Sequence, residues 1–76
     1  METIPLPAYI HYELILQLLE RKTRLAINHN SPQYKEVEQL IITLRKALAM
    51  QKQLEESCVR SNFKIEYRWS LNEITN

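Results

Sequence analysis

Two long helical patterns on either side of a four-residue break constrain this chain of 76 residues more than any other feature. The break is His29-Asn30-Ser31-Pro32. Asn30 can adopt the left-handed conformation that ends a helix, Ser31 can cap the next helix, and Pro32 suits its first position. Because loops this short join antiparallel neighbours, the sequence predicts a mainly α fold built on an antiparallel two-helix hairpin.

The length predicts a single domain, which the residue pattern divides into five segments. Pro5 and Pro7 favour an extended N-terminal arm, because each fixes its own backbone and restricts the residue before it. The predicted segments are the arm at 1–7, a first helix at 8–28, a second helix at 32–60, a short β-strand or extended tail at 62–69, and a short turn or frayed end at 70–76.

The first helix has more apolar surface than the second can cover. Its apolar arc spans roughly 220° at about 100° per residue, whereas the stripe on the second helix spans about 140°. Each large side chain left in water forfeits about 1.5–3 kcal/mol. We therefore expect another surface to cover the remainder, and dimerisation is one way to supply it.

The segment FKIEYRW at 63–69 alternates apolar and charged residues, which is typical of a strand. The sequence does not decide which strand this segment pairs with. The tail could fold onto the first helix, a second copy could complete a four-helix bundle, or two such strands could pair across a twofold axis. The strand could also add to the sheet edge of a different protein. The remaining alternative is that the segment continues as helix or stays irregular.

We expect the partner surface to combine the uncovered arc of the first helix with the apolar face of the tail. Tyr67 and Trp69 are the expected hot spots, because large aromatic side chains dominate interface energies. The predicted interface residues are Tyr9, Leu14, Leu16, Leu18, Leu25, Ile27, Phe63, Ile65, Tyr67 and Trp69.

His11 and Gln51 fall on the facing apolar stripes of the two helices. We predict that they form a buried polar pair. Such a pair fixes the register of the helices or, alternatively, responds to pH through the histidine.

Several function classes are excluded or disfavoured. The chain has no glycine, which excludes Gly-rich phosphate loops and nucleophile elbows. Cys58 is the single cysteine, and with His11 and His29 it lacks the spacing of a metal site. We find no catalytic constellation, and we expect no enzymatic activity, no small-molecule substrate and no cofactor. One cysteine also suits a reducing compartment, and no signal peptide or membrane span fits, so we expect a cytoplasmic protein.

The net charge is +1, from ten basic and nine acidic residues. This balance argues against nucleic-acid binding, which needs a basic stripe. The sequence therefore predicts a non-enzymatic protein–protein interaction module or small accessory subunit that forms a homodimer or docks on a larger complex. The alternative is a small nucleic-acid-associated regulator that uses Arg21, Arg24, Arg45 and Lys46.

Three segments carry a family resemblance: IPLP at 4–7, HYELILQLLER at 11–21 and VEQLIITLRKAL at 37–48. They resemble a family of small cyanobacterial proteins that is catalogued as a domain of unknown function. The resemblance covers about residues 4–55. It implies a cyanobacterial cytosol, favours a partner in the photosynthetic or carbon-fixing machinery, and gives no reason to expect a cofactor.

Overall fold

The computed structural model describes residues 3–71, which form two strands and two long helical segments. In chain order these are β1 (Thr3–Pro7), α1 (Tyr9–Leu18), α2 (Pro32–Arg60) and β2 (Lys64–Arg68). After α1 the chain stays helical through a π-helical turn at Leu19–Thr23 and a 3-10 turn at Arg24–Ala26. The end predicted at 70–76 lies outside the described residues from position 72 onward.

The helix α2 is bounded by local signals at both ends. At its start the Ser31 hydroxyl accepts a hydrogen bond from the Tyr34 backbone N–H, and Pro32 occupies the first helical position. At its end Asn62 has a φ of 66°, and the Phe63 N–H donates to the Cys58 carbonyl over 2.9 Å. This is a Schellman motif in which asparagine takes the place of glycine.

The loop between the helices uses a different asparagine from the one that we predicted. Among the described residues Asn62 alone has a positive φ, so Asn30 does not take the left-handed position. Instead the Asn28 side-chain oxygen accepts from the Asn30 N–H over 2.9 Å, and the Asn28 carbonyl accepts from Ser31. A side-chain turn of this kind reverses the chain without a left-handed residue.

The strands at the two ends of the chain pair with each other. The pairing is parallel, with Ile4 opposite Ile65 and Leu6 opposite Tyr67. It continues one residue beyond β1, where the Ala8 N–H donates to the Arg68 carbonyl over 3.0 Å. The N-terminal arm is therefore the neighbour that the alternating segment requires.

The core is small and lies where α1, α2 and the sheet meet. No described side chain is fully enclosed. The buried residues among those described are Ala8, Leu16, Ile41, Gln51 and Cys58.

The chain is mainly helical, but the predicted fold class is wrong. We expected an antiparallel two-helix hairpin with an extended arm and tail, and we expected it to dimerise. The structure instead closes a parallel sheet between arm and tail, and the first helical segment changes through three helix types. The two helices of this β-helix-helix-β chain do not form a short hairpin, and nothing in the described residues supports dimerisation. The arm at 1–7 was not predicted as a strand because proline is generally unfavourable in sheets. Proline is nevertheless compatible with an edge strand where its nitrogen faces outward, as in β1.

Adjacent isoleucines of α2 provide a matched test of this core. Ile41 is 4% exposed and Ile42 is 46% exposed. We expect Ile41→Val to lower the free energy of unfolding by about 0.5–1.5 kcal/mol, because removing a buried methylene leaves a cavity. Ile42→Val should change it by less than about 0.5 kcal/mol. Urea unfolding followed by circular dichroism measures both, and equal losses would contradict this placement of the core.

Candidate functional site

One face of α1 exposes leucines directly opposite the face that packs against the protein. Leu16 is buried, whereas Leu14 is 64% exposed and Leu18 is 57% exposed. At about 100° per residue, Leu16 lies about 160° around the helix from both. The exposed leucines therefore lie on the far side of the helix and cannot contribute to the core.

Trp69, directly after β2, extends this exposed face. Its ring meets the His11 ring edge-on, with 6.1 Å between centroids, and 69% of its surface remains exposed. His11 precedes Leu14 and Ile15 by three and four residues, so these side chains are neighbours on α1. We call the combined surface of Leu14, Ile15, Leu18 and Trp69 the apolar ridge.

A groove of about 580 Å³ adjoins the Trp69 end of the apolar ridge. Its walls are the last three residues of β1, His11, and the chain from Arg68 to Leu71. Prolines and apolar side chains make up most of this lining. The groove and the ridge share Trp69 and together form one largely apolar surface.

A cluster of hydrogen-bonded polar side chains fixes β2 to the helices. The hydroxyls of Tyr9 and Tyr67 both donate to Glu55 Oε1, over 2.5 Å and 2.7 Å. Gln51 Nε2 donates to Glu55 Oε2 over 3.2 Å and to the Pro7 carbonyl over 2.8 Å. We call Tyr9, Gln51, Glu55 and Tyr67 the Glu55 cluster. It joins α1, α2 and both strands, and it thereby sets the position of Trp69.

Hydrogen bonding determines the charge state of the Glu55 cluster. Desolvation raises the pKa of the Glu55 carboxyl, but the hydrogen bonds from Tyr9, Tyr67 and Gln51 and the nearby charge of Lys52 outweigh it. The pKa therefore lies below its ordinary value of 4.5. The hydrogen bond to Glu55, with desolvation, raises the pKa of Tyr9 and of Tyr67 above the ordinary value. At neutral pH the cluster thus holds one carboxylate and two neutral phenols.

The two residues that we predicted as a buried polar pair each have other partners in the structure. His11 lies against Trp69, whereas Gln51 is buried and bonds to Pro7 and Glu55. Gln51 therefore holds β1 and Glu55, and His11 contacts the apolar ridge at Trp69.

The predicted interface residues fall into two groups by exposure. The more exposed residues are Leu14, Leu18, Leu25, Phe63, Tyr67 and Trp69. Leu16 is buried, and Tyr9, Ile27 and Ile65 are half-buried. The structure brings Tyr9 and Tyr67 together on Glu55, with 5.7 Å between ring centroids.

The role of Glu55 was not identified from the sequence, although a signal exists. Gln51 and Glu55 stand one helical turn apart on the otherwise apolar stripe of α2. Two polar residues at this spacing on a buried face need partners, and tyrosine hydroxyls at Tyr9 and Tyr67 can supply them.

Two of the basic residues considered for nucleic-acid binding lie in ion pairs. Arg45 Nη2 is 2.6 Å from Glu20 Oε2, and Arg24 Nη1 is 3.5 Å from Glu38 Oε2. Both pairs join the first helical segment to α2, which favours a structural role for these arginines over phosphate binding. Within residues 3–71, no three His, Cys, Asp or Glu side chains are grouped to hold a metal ion. No helix of that range is both long and apolar enough to cross a membrane.

Acid should weaken the Glu55 cluster. Because the folded-state pKa of Glu55 is lowered, its charge stabilises the fold above the ordinary pKa, and that contribution is lost as pH falls through the folded-state value. We expect Glu55→Gln to lower the urea midpoint at neutral pH. Between about pH 6 and about pH 3, the urea midpoint of this variant should fall by less than that of the wild type. Glu56→Gln, at an exposed neighbour outside the cluster, is the control. Parallel pH profiles for wild type and Glu55→Gln would contradict this role.

Comparison with known proteins places the chain in a family. A relative from Anabaena cylindrica, described as an uncharacterized 9.3 kDa protein in the soluble hydrogenase 5′ region, is 58% identical over 72 residues, which cover 95% of this chain and 88% of the relative. No solved structure matches the chain. The model of the family of unknown function DUF5340 matches residues 1–70. The chain therefore belongs to this family, as the segments at 4–7, 11–21 and 37–48 indicated.

Proposed function

We propose that this chain is a non-enzymatic interaction module, a small accessory subunit that docks on a larger cytoplasmic protein through the apolar ridge. The observation that supports the proposal is the exposure of Leu14 and Leu18 on the side of α1 opposite the buried Leu16. A helix that needed only to pack within this fold would have polar residues on that side.

The grouping of exposed apolar side chains in the ridge favours docking. Isolated exposed leucines are normal on protein surfaces, but neighbours on one helix face that continue onto a tryptophan form a patch. Burying each of these side chains against a partner stabilises a complex by about 1.5–3 kcal/mol before the costs of association.

The anchoring of β2 supports the same function. Tyr67 bonds to Glu55 two residues before Trp69. A tryptophan that follows an anchored strand loses less conformational entropy on binding than one on a loose tail. The groove beside Trp69 also provides space for a side chain of the partner.

Substituting a leucine of the apolar ridge should release the partner. We express the tagged chain in Anabaena cylindrica, the source of the relative described above. We expect Leu18→Ser to reduce the amount of co-purifying protein at least tenfold, because a tenfold loss needs only about 1.4 kcal/mol. The measurement is quantitative mass spectrometry after mild crosslinking, on chains whose circular dichroism matches the wild type.

The matched control for this experiment is Ile42→Ser. Ile42 is an exposed aliphatic residue on α2 outside the apolar ridge. It should leave the co-purifying proteins unchanged. Loss with both variants, or with neither, would overturn the docking role of the apolar ridge.

Trp69 should be the hot spot of the complex. We expect Trp69→Ala to weaken association by more than about 2 kcal/mol, whereas Trp69→Phe keeps an aromatic ring and should lose less. Titration of the purified partner by calorimetry distinguishes them. Wild-type affinity for Trp69→Ala would remove the residue from the interface.

A further inference from the structure

The two outer edges of the sheet differ in their capacity to accept another strand. In the observed register the backbones of Ile4, Leu6 and Ala8 face β2, as the bond from Ala8 to Arg68 shows. The outward positions of β1 therefore include Pro5 and Pro7, which have no N–H. The carbonyl of Pro7 is also taken by Gln51. The edge at β1 is closed to further pairing.

The edge at β2 is open. By the same alternation the N–H and C=O groups of Ile65 and Tyr67 point away from β1. Within residues 3–71 these backbone groups have no hydrogen-bond partner. They form a row of donors and acceptors of the kind to which an incoming strand binds.

A groove runs beside this open edge. It has a volume of about 590 Å³. Its lining comes from α1, α2 and β2 and consists of Tyr9, Lys52, Glu55, Glu56, Val59, Arg60, Ile65 and Tyr67. No residue of β1 lines it, and it lies between α2 and the face of β2 that carries the side chains of Ile65 and Tyr67. A strand about 4.8 Å from β2 would place alternate side chains in this groove.

From this geometry we infer that β2 binds an extended segment of a partner protein as a third strand. Val59 and Ile65 favour apolar residues at the positions that lie against them, within a lining that also holds the charged side chains of Lys52, Glu56 and Arg60. On the opposite face Lys64 is exposed, while Glu66 bonds to Arg68 over 2.8 Å. The segment should therefore carry an acidic residue across from Lys64.

The position of α2 argues against a second copy of this chain as the occupant. Two β2 strands paired antiparallel across a twofold would place both sets of helices on the same face of the joined sheet. Each α2 lines the groove on that face of its own β2, so the two helices would compete for the space above the joined strands. A single extended segment has no such conflict.

This inference rests on the proposed function in that the natural occupant is a protein, but it uses a different surface. The test selects binders from a phage-displayed library of random peptides against the full-length chain. A chemically synthesised chain with the Ile65 nitrogen methylated is the blocked variant, because it loses the outward N–H and keeps every side chain. The ridge variant Leu18→Ser serves as the matched control.

We expect the selected peptides to alternate apolar residues and to include an acidic one. They should bind the blocked chain at least tenfold more weakly, bind Leu18→Ser as they bind wild type, and slow hydrogen exchange at the Ile65 and Tyr67 amides. Equal binding to the blocked chain, failure to select any peptide, or a dimer of the chain that protects those amides would overturn the inference. If the peptides no longer bound the Leu18→Ser chain, their binding site would be the apolar ridge. The experiment therefore distinguishes failure of strand addition at β2 from failure of docking through the ridge.

Discussion

The pairing of β1 with β2 is the contact on which the rest of the structure depends. It joins residues near the two ends of the chain, so forming it closes a loop of almost the whole chain. The entropy lost in closing that loop opposes the pairing, although this cost grows only slowly with loop length. Two parallel strands cannot offset the cost alone, because such a pair is marginal in water. The Glu55 cluster supplies the missing support, since Gln51 holds the carbonyl of Pro7 while Tyr67 bonds to Glu55. The sheet persists because α2 binds both of its strands.

Closing the chain in this way produces an extended shape that buries little apolar surface. The Cα radius of gyration is 16.3 Å, whereas a compact domain of this length has about 11 Å. Long helices with a small sheet at one end have a high ratio of surface to volume, which limits the apolar area removed from water. The exposed leucines of α1 follow from this geometry, because a single neighbouring helix covers only one side of α1. A partner that covered the apolar ridge would supply the second layer of a core.

The sequence predicted the features that depend on local chemistry. Ser31 and Pro32 place the start of α2 because a cap and a proline act over a single turn, and the alternation at 63–69 places a strand where β2 lies. The parallel pairing was missed because it joins residues far apart in sequence, and no local pattern encodes a register such as Ile4 with Ile65. The π-helical turn at Leu19–Thr23 contains neither proline nor glycine, so no residue there marked the departure from α-helix. Glu55 was missed for the same reason as the sheet, because its partners Tyr9 and Tyr67 come from both ends of the chain.

The asymmetry between the sheet edges bears on how such a small sheet avoids aggregation. Open edges are a general liability, and proteins blunt them with proline, with charge or with a covering segment. At β1 this chain uses two prolines and the buried Gln51, which bonds to the Pro7 carbonyl. At β2 the charged residues Lys64, Glu66 and Arg68 alternate onto one face, and the outward N–H groups of Ile65 and Tyr67 remain available. Because proline could have been placed at Ile65 without loss of a hydrogen bond to β1, the open edge is not a requirement of the fold. A sheet closed on one side and open on the other directs any added strand to the groove beside α2.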